Sequence, residues 1–317
     1  MSSSGSSKEY DVVVVGSCMT DLVSYVPRLP KPGETIHGTR FSIGFGGKGA
    51  NQCVMAARMG AKTAMVAKVG NDSFGHRTVE NLKDNGVDAS CVGVVDGLSS
   101  GVAPIAVDEK GENAIIIVSG ANSDLSPSDV RTATSIIKSA AVVVCQLEVP
   151  SETSLAALEM GRQSGAITIL NPAPAQPELD HLLSCCEIVC PNETEAEILT
   201  GYAVKTIADA SHAVRLLLSR GCEKVVLTMG SQGAVYGSKE CSEPCHVSAE
   251  SVTPVDTTGA GDAFVGSLAY YLAKLPNLSF HEIVCRSCKV AALSVQKPGT
   301  QTSFPFRKDM VDSLFAM

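Results

Sequence analysis

The sequence predicts an α/β protein: a three-layer arrangement of helices around an open, mostly parallel sheet, with a small β-sheet lid. Three observations carry this. Short apolar runs rich in Val and Ile recur with helix-like segments between them, the rhythm of strands joined by right-handed crossovers. Hydrophobic residues make up 44% of the 317 residues but aromatics only 4%, with no Trp. A core of Val, Ile, Leu, Ala and Met suits strands buried on both faces. Two stretches, 22–46 and 98–120, break the rhythm and read as a separate small sheet.

The elements follow in order. Residues 1–10 are Ser-rich and polar, without an apolar leader core, and predict a flexible tail; residues 11–317 predict one domain. The run 11–16, Asp-Val-Val-Val-Val-Gly, predicts a buried strand. Similar strands are predicted at 63–69, 141–145, 166–170, 188–190 and 224–229. Helices are predicted at 50–59, 151–163 (opened by a Ser-x-x-Ser cap pattern), 193–199 and 207–219. Within 98–120, alternation at 102–107, the turn Asp108 to Gly111 and the apolar run 114–118 predict a hairpin. A sheet placed over the end of the main one can serve as a lid; an edge extension or dimer surface fits equally.

Net charge is −8, which argues against nucleic acid or an anionic membrane as partner. No apolar stretch reaches the roughly 18–20 residues that span a bilayer. The 12 Cys, with no secretory signature, predict free thiols in a reducing, cytoplasmic setting, with nuclear access open. Cys185, Cys186 and Cys190, and Cys241, Cys245 and His246, are the clusters to weigh as zinc ligands. Neither offers two paired sets at zinc spacing, so buried or surface thiols are the plainer reading.

Two glycine-rich runs carry the chemistry. A strand-like segment, 251–255, leads into Asp256-Thr257-Thr258-Gly259-Ala260-Gly261-Asp262 and then an apolar helix of about three turns, 263–274. Glycines at a helix start let an anion approach the backbone, and the first N–H groups there have no intrahelical partner. They can stabilise charge on a transferring phosphoryl group, with Asp262 beside it to accept a hydroxyl proton. The bland alternative is that Asp262 caps the helix. The other run, Gly44-Phe45-Gly46-Gly47-Lys48-Gly49, fails as a dinucleotide fingerprint, since the segment before it is short and polar. It fails as a phosphate loop too, since Gly follows the Lys. It leaves a glycine-lined patch with Lys48 and Asn51, suited to a hydroxyl-rich ligand.

Together these runs resemble the ribokinase family of pfkB-type carbohydrate kinases. Gly46 to Gln52 looks like its N-terminal signature and Asp256 to Asp262 like its C-terminal one. Pro191-Asn192-Glu193-Thr194-Glu195 looks like its Asn-x-x-Glu motif, and Thr228 to Gly233 like its nucleotide loop. The resemblance covers nearly the whole chain and implies a ribokinase-like fold and phosphorylation of the 5-hydroxyl of D-ribose by ATP. It implies Asp262 as base and Gly259, Ala260 and Gly261 as anion hole. Met19, Asp21, Gly47, Lys48, Asn51 and Glu148 would face the sugar. Asn192, Thr228, Gly230, Ser231, Gly233, Gly261 and Cys288 would face ATP. Glu195 would organise Mg²⁺ through water. Asp256, Thr258, Ser294, Lys297, Gly299 and Ser303 would surround an activating monovalent cation, K⁺ or another. The lid sheet would pair two subunits into a homodimer. Two positions depart from the pattern: Met19 stands where bacterial members carry Asn, and Cys288 faces the adenine position without a ring to stack. A nucleoside kinase of the same family would want an aromatic at the sugar site; a non-catalytic sugar- or nucleotide-binding protein would not need Asp262.

Overall fold

A computed structural model describes residues 8–317; residues 1–7 of the expected tail lie outside the described residues. β1 (Tyr10–Val15) starts one residue earlier than expected. Tyr10 is buried, its hydroxyl donating to Asp88, so the strand begins where an anchoring ring can be covered.

Beyond β1 the chain forms β2 (Met19–Tyr25), β3 (Arg40–Gly46), α1 (Lys48–Arg58), β4 (Thr63–Gly70), α2 (Ser73–Asp84) and β5 (Val87–Val95). Next come β6 (Gly101–Val107), β7 (Asn113–Ile115), α3 (Pro127–Thr132), α4 (Thr134–Lys138) and β8 (Ala140–Cys145). Alternation continues through α5 (Ser151–Gln163), β9 (Ile167–Leu170), α6 (Asp180–Leu183), β10 (Ile188–Val189), α7 (Glu193–Thr200), α8 (Ile207–Ser219) and β11 (Lys224–Thr228). The chain ends with β12 (Ala234–Ser238), β13 (Cys241–Val247), α9 (Ala260–Lys274) and α10 (Phe280–Ser294).

The main sheet has nine strands in the order β13-β12-β11-β10-β9-β8-β1-β4-β5. Neighbours from β11 to β5 are parallel, while β12 and β13 add on antiparallel. Its interior is valine-rich because both faces are covered. In β1, Val12 and Val14 pack into one core with α1 and α9, and Val13 and Val15 into the other with α5 and α8. The chain runs outward from β1 to β4 and β5, then returns to β8 on β1's other side. That reversal is a topological switch point, and ligands of open α/β sheets gather beyond the carboxyl ends of strands there.

The two irregular stretches form a separate four-stranded sheet, β3-β2-β6-β7. β2 starts at Met19, ahead of the expected boundary, and pairs antiparallel with β3 and parallel with β6. The predicted hairpin is present: β6 pairs antiparallel with β7, with a further bridge between Val102 and Val118.

Two local expectations fail. Residues 251–255 form no strand; this segment makes few ladder contacts, Val255 N–H reaching instead to the Val295 carbonyl (2.7 Å). The Ser-x-x-Ser cap of α5 is absent: Pro150 precedes the helix, and the Ser154 hydroxyl donates to the Gln146 carbonyl. Among the described residues, no helix is long and apolar enough to cross a membrane.

Candidate active site

The glycine-rich runs meet at the carboxyl rim of the main sheet. Gly47 precedes α1, and Gly259, with φ of +80°, turns the chain into α9. A Cβ at Gly259 would lie 2.5 Å from Thr300 Cγ2, so that turn excludes a side chain on both counts. Asp262 falls in the first turn of α9, buried to 8% exposure. Its Oδ2 accepts from Asn51 Nδ2 (2.8 Å) and its Oδ1 from Gln52 Nε2 (2.9 Å). The carboxylate therefore receives neighbouring amides instead of merely capping its own helix.

Three cavities surround this point. A central one of about 150 Å³ is walled by Asp262, Lys48, Glu195, Asn171, Gly259 and Gly261. On one side lies a cleft of about 470 Å³, where Asn192, Thr228, Gly230, Ser231, Gly233, Gly261 and Cys288 all stand, with Ala260 beside them. Every residue expected to face ATP is thus on one wall system. On the other side a cavity of about 540 Å³ is walled by Met19, Lys48 and Glu148, with Leu147, Ile117 and Pro174. Lys48 borders the central and second side cavities; Asn192, Thr228 and Gly261 border the central one and the cleft.

The remaining residues expected at the sugar sit differently. Asp21, Gly47 and Asn51 wall none of these three cavities. Asp21 on β2 lies against the facing strand, so that a Cβ at Gly46 would be 2.5 Å from its Oδ1. Asn51 spends its amide on Asp262 and accepts from Gln301 Nε2 (3.0 Å) through Oδ1. Of the expected anion-hole amides, that of Ala260 donates to the Thr257 carbonyl (3.2 Å).

Carboxylates crowd a single ammonium. Burial pulls the Lys48 pKa down, but Asp262, Glu148 and Glu195 together outweigh it and leave it raised. Burial raises Glu148, opposed by Lys48 and by the hydroxyl of Ser17; its Oε2 accepts from Ser17 Oγ (2.5 Å) and the Lys48 N–H (2.8 Å). Glu195 is raised by burial and forms a capping box with Asn192: Asn192 N–H to Glu195 Oε2, and Glu195 N–H to Asn192 Oδ1, both 2.8 Å. Asp21 is pushed up to about 6 by burial, then by Glu148 and Asp262. Burial pushes the Cys288 thiol up to about 12, keeping it neutral.

Behind α9, Asp256 ties two loops together. Its Oδ1 accepts from Thr258 N–H (2.9 Å) and its Oδ2 from Gly299 N–H (2.8 Å). Burial would raise this carboxyl, but those bonds win and lower it. Ser294 and Ser303 are buried nearby in the chain, donating to the Ala291 and Thr300 carbonyls (2.8 Å each); Lys297 is exposed. Among the described residues, no group of three or more His, Cys, Asp or Glu gathers in metal-binding geometry.

Sequence reasoning gave no role to Ser17, Gln146 or Asn171, and none to Gln52 beyond its place at the end of the N-terminal signature. Three of these share a signal, a polar residue at or just past the end of an apolar strand run, which is where the sheet presents side chains to the rim.

A family model described as pfkB family carbohydrate kinase matches residues 10–307. The chain is 54% identical to a ribokinase of Mus musculus over 305 residues, covering 96% of this chain and 94% of the mouse protein. It is 43% identical to a deoxyribokinase of Salmonella typhi over 296 residues, covering 93% and 95%. It also superposes on the solved ribokinase of Arabidopsis thaliana complexed with ribose and ATP, with TM-score 0.88 and 32% identity over 97% of this chain and 99% of that one. Matched along nearly its whole length, and carrying the two glycine-rich runs on one rim, the chain belongs to the pfkB family of carbohydrate kinases.

Proposed function

We propose that this protein is a ribokinase, moving the γ-phosphoryl group of ATP to the 5-hydroxyl of D-ribose with Asp262 as base. The observation that carries the reading is the position of Asp262: it walls the central cavity between a nucleotide-sized cleft and a second pocket into whose wall Lys48 and Glu148 bring charge. In this reading the sugar hydroxyl lies beside the carboxylate, which takes its proton as the phosphoryl group departs from ADP. The Gly261 N–H and the positive end of α9 stabilise charge on the transferring oxygens. Lys48 adds a fixed positive charge at the same point. Glu148, held by Ser17 and the Lys48 N–H, accepts sugar hydroxyls, and the apolar, neutral wall around Cys288 receives the base of the nucleotide. A family of ATP-dependent kinases implies a divalent cation.

Glu195 and Asn192 supply buried and half-buried oxygen donors at the phosphate end, the donor type that suits Mg²⁺ held largely through water. When bound, that ion neutralises charge on the phosphates. The oxygen-rich loops joined by Asp256, including Thr258, Ser294, Lys297, Gly299 and Ser303, suit a monovalent cation held mainly by backbone carbonyls. Cytoplasmic residence and a homodimer through the small sheet, acting as a lid, complete the proposal.

Met19 presents an apolar wall, and an apolar wall discriminates weakly between an added hydroxyl and its absence. The decisive assay is therefore a panel of ribose, 2-deoxyribose, fructose, adenosine and pseudouridine with ATP. Ribose is expected to give the highest kcat/KM, and Asp262→Asn to keep nucleotide binding while losing turnover by about a hundredfold or more. Deoxyribose ahead of ribose removes the substrate assignment; near-native turnover in the Asn variant removes the base.

A further inference from the structure

Asp262 does not stand alone in the protein interior. Gln52, next to Asn51 on α1 and only 1% exposed, donates both N–H groups of its amide: one to Asp262 Oδ1 (2.9 Å), one to Asn171 Oδ1 (3.0 Å). Its Oε1 accepts from Gln146 Nε2 (2.5 Å). Asn171 is oriented in turn by donating to the Cys190 carbonyl (2.8 Å). The Gln52 amide therefore has one allowed orientation. A flip would set its oxygen against two acceptors and its nitrogen against a donor, three losses at once.

The supports of this amide belong to the rigid part of the fold. Gln146 follows β8 and Asn171 follows β9, both at the carboxyl rim, and Cys190 follows β10. Helices α1 and α9 meet closely here. A Cβ at Gly266, one turn after Asp262, would lie 2.6 Å from the Gln52 carbonyl and 2.7 Å from Met55 Cβ. Gln146 Oε1 finds no hydrogen-bond partner, so this buried amide is half satisfied, and the half that is satisfied is the one holding Gln52.

We infer that Gln52 is a positioning residue for phosphoryl transfer: its amide, locked by Gln146 and Asn171, aims the Asp262 carboxylate at the substrate hydroxyl. Asn51 holds the second oxygen, so one neutral donor on each side fixes the carboxylate plane. Neutral amides favour the carboxylate form without placing a further full charge beside it, which a Lys or Arg in the same place would do. This inference rests on the reading of Asp262 as the base.

The test uses the full chain with ATP and ribose, comparing wild type, Asp262→Asn, Gln52→Leu and Gln146→Leu. Gln52→Leu is expected to lower kcat by about ten- to a hundredfold, the scale of one lost charge-assisted hydrogen bond. KM for both substrates should stay within about threefold, because Gln52 itself lines none of the three cavities. The acid limb of the kcat profile should move to higher pH, since the carboxylate has lost a donor that favours its charged form. The other charged groups facing Asp262 (Lys48 on α1, Glu148 after β8, Glu195 on α7, Asp21 on β2) are unchanged in this variant, so the shift is read against wild type. Gln146→Leu, which frees the Gln52 amide without removing it, should give a smaller loss in the same direction. A folded Gln52→Leu protein with kcat within about twofold of wild type overturns the inference. So does a kcat loss with an unmoved acid limb. If Gln52→Leu does not fold, Gln146→Leu decides by the same two readouts. Near-native turnover in Asp262→Asn is a separate outcome: it removes the base, and the inference with it.

Discussion

At the residue scale, the site concentrates like charge. Glu148, Glu195 and Asp262 share one nearby ammonium, Lys48, while Asp21 feels only the like charges of Glu148 and Asp262. Asp21 records the cost most clearly, with its pKa raised to about 6 in the folded protein. The unfolded chain releases that proton near pH 4. Between about pH 4 and 6 the folded state holds more protons than the unfolded one, so this residue makes stability fall as pH rises through that window. Asp21→Asn should therefore stabilise the unliganded protein near pH 7 by on the order of 1–3 kcal/mol, and by little at pH 4. Urea unfolding at the two pH values checks this; an equal effect at both would show that Asp21 is not the group responsible. Lys48, Glu148 and Asp262 were legible in the sequence because each follows a glycine run or a strand end. Asn51 was legible as a polar member of the motif, but its partner was not, since Asp262 and Gln301 are 211 and 250 residues away along the chain.

At the element scale, periodicity served well where one face of a segment is buried. Helices α5 and α8 begin and end where the 3.6-residue pattern places them. The cap expectation failed where a contact outside the window decides: at the start of α5, Ser154 bonds the Gln146 carbonyl in place of capping. Asn192 and Glu195 combine a capping box with a place on the central cavity wall, so a local stabilising motif and a proposed ligand contact coincide. The α1–α9 contact gives a sharper test. Gly266→Ala would gain about 1 kcal/mol of helix propensity. It would also force a Cβ to 2.6 Å from the Gln52 carbonyl, and such overpacking costs about 1–3 kcal/mol. The clash is with backbone, which cannot rotate away, so the variant should melt a few degrees lower and lose turnover as α1 is displaced. An unchanged or higher Tm would mean that the helices can separate freely there.

At the scale of the whole molecule, the small sheet leaves apolar side chains uncovered: Phe41, Ile43, Ile115, Ile116, Ile117 and Val118 are 40–66% exposed. A cluster of this kind on a four-stranded sheet is the surface a second copy would cover, which supports the proposed homodimer. Sedimentation of the wild type is expected to give a dimer at micromolar concentration, and Ile116→Lys a monomer, because the new charge would be buried without a partner. A monomeric wild type would end the dimer proposal and leave these residues as the inner face of a lid.

The sequence by itself determined the α/β class, most of the parallel strands, the two glycine turns and the carbohydrate kinase family, because these depend on short-range pattern and on backbone positions that few residue types can occupy. Only the tertiary structure decided that Asn51 and Gln52 face the Asp262 carboxylate, that Asp21 lies off the cavity walls, and that the residues proposed to face ATP share one cleft. The reason is physical: a side chain's hydrogen-bond partner is chosen by the crossing of α1 and α9 and by the reversal of strand order at β1 and β8. Neither the crossing nor the reversal leaves a periodicity in the chain.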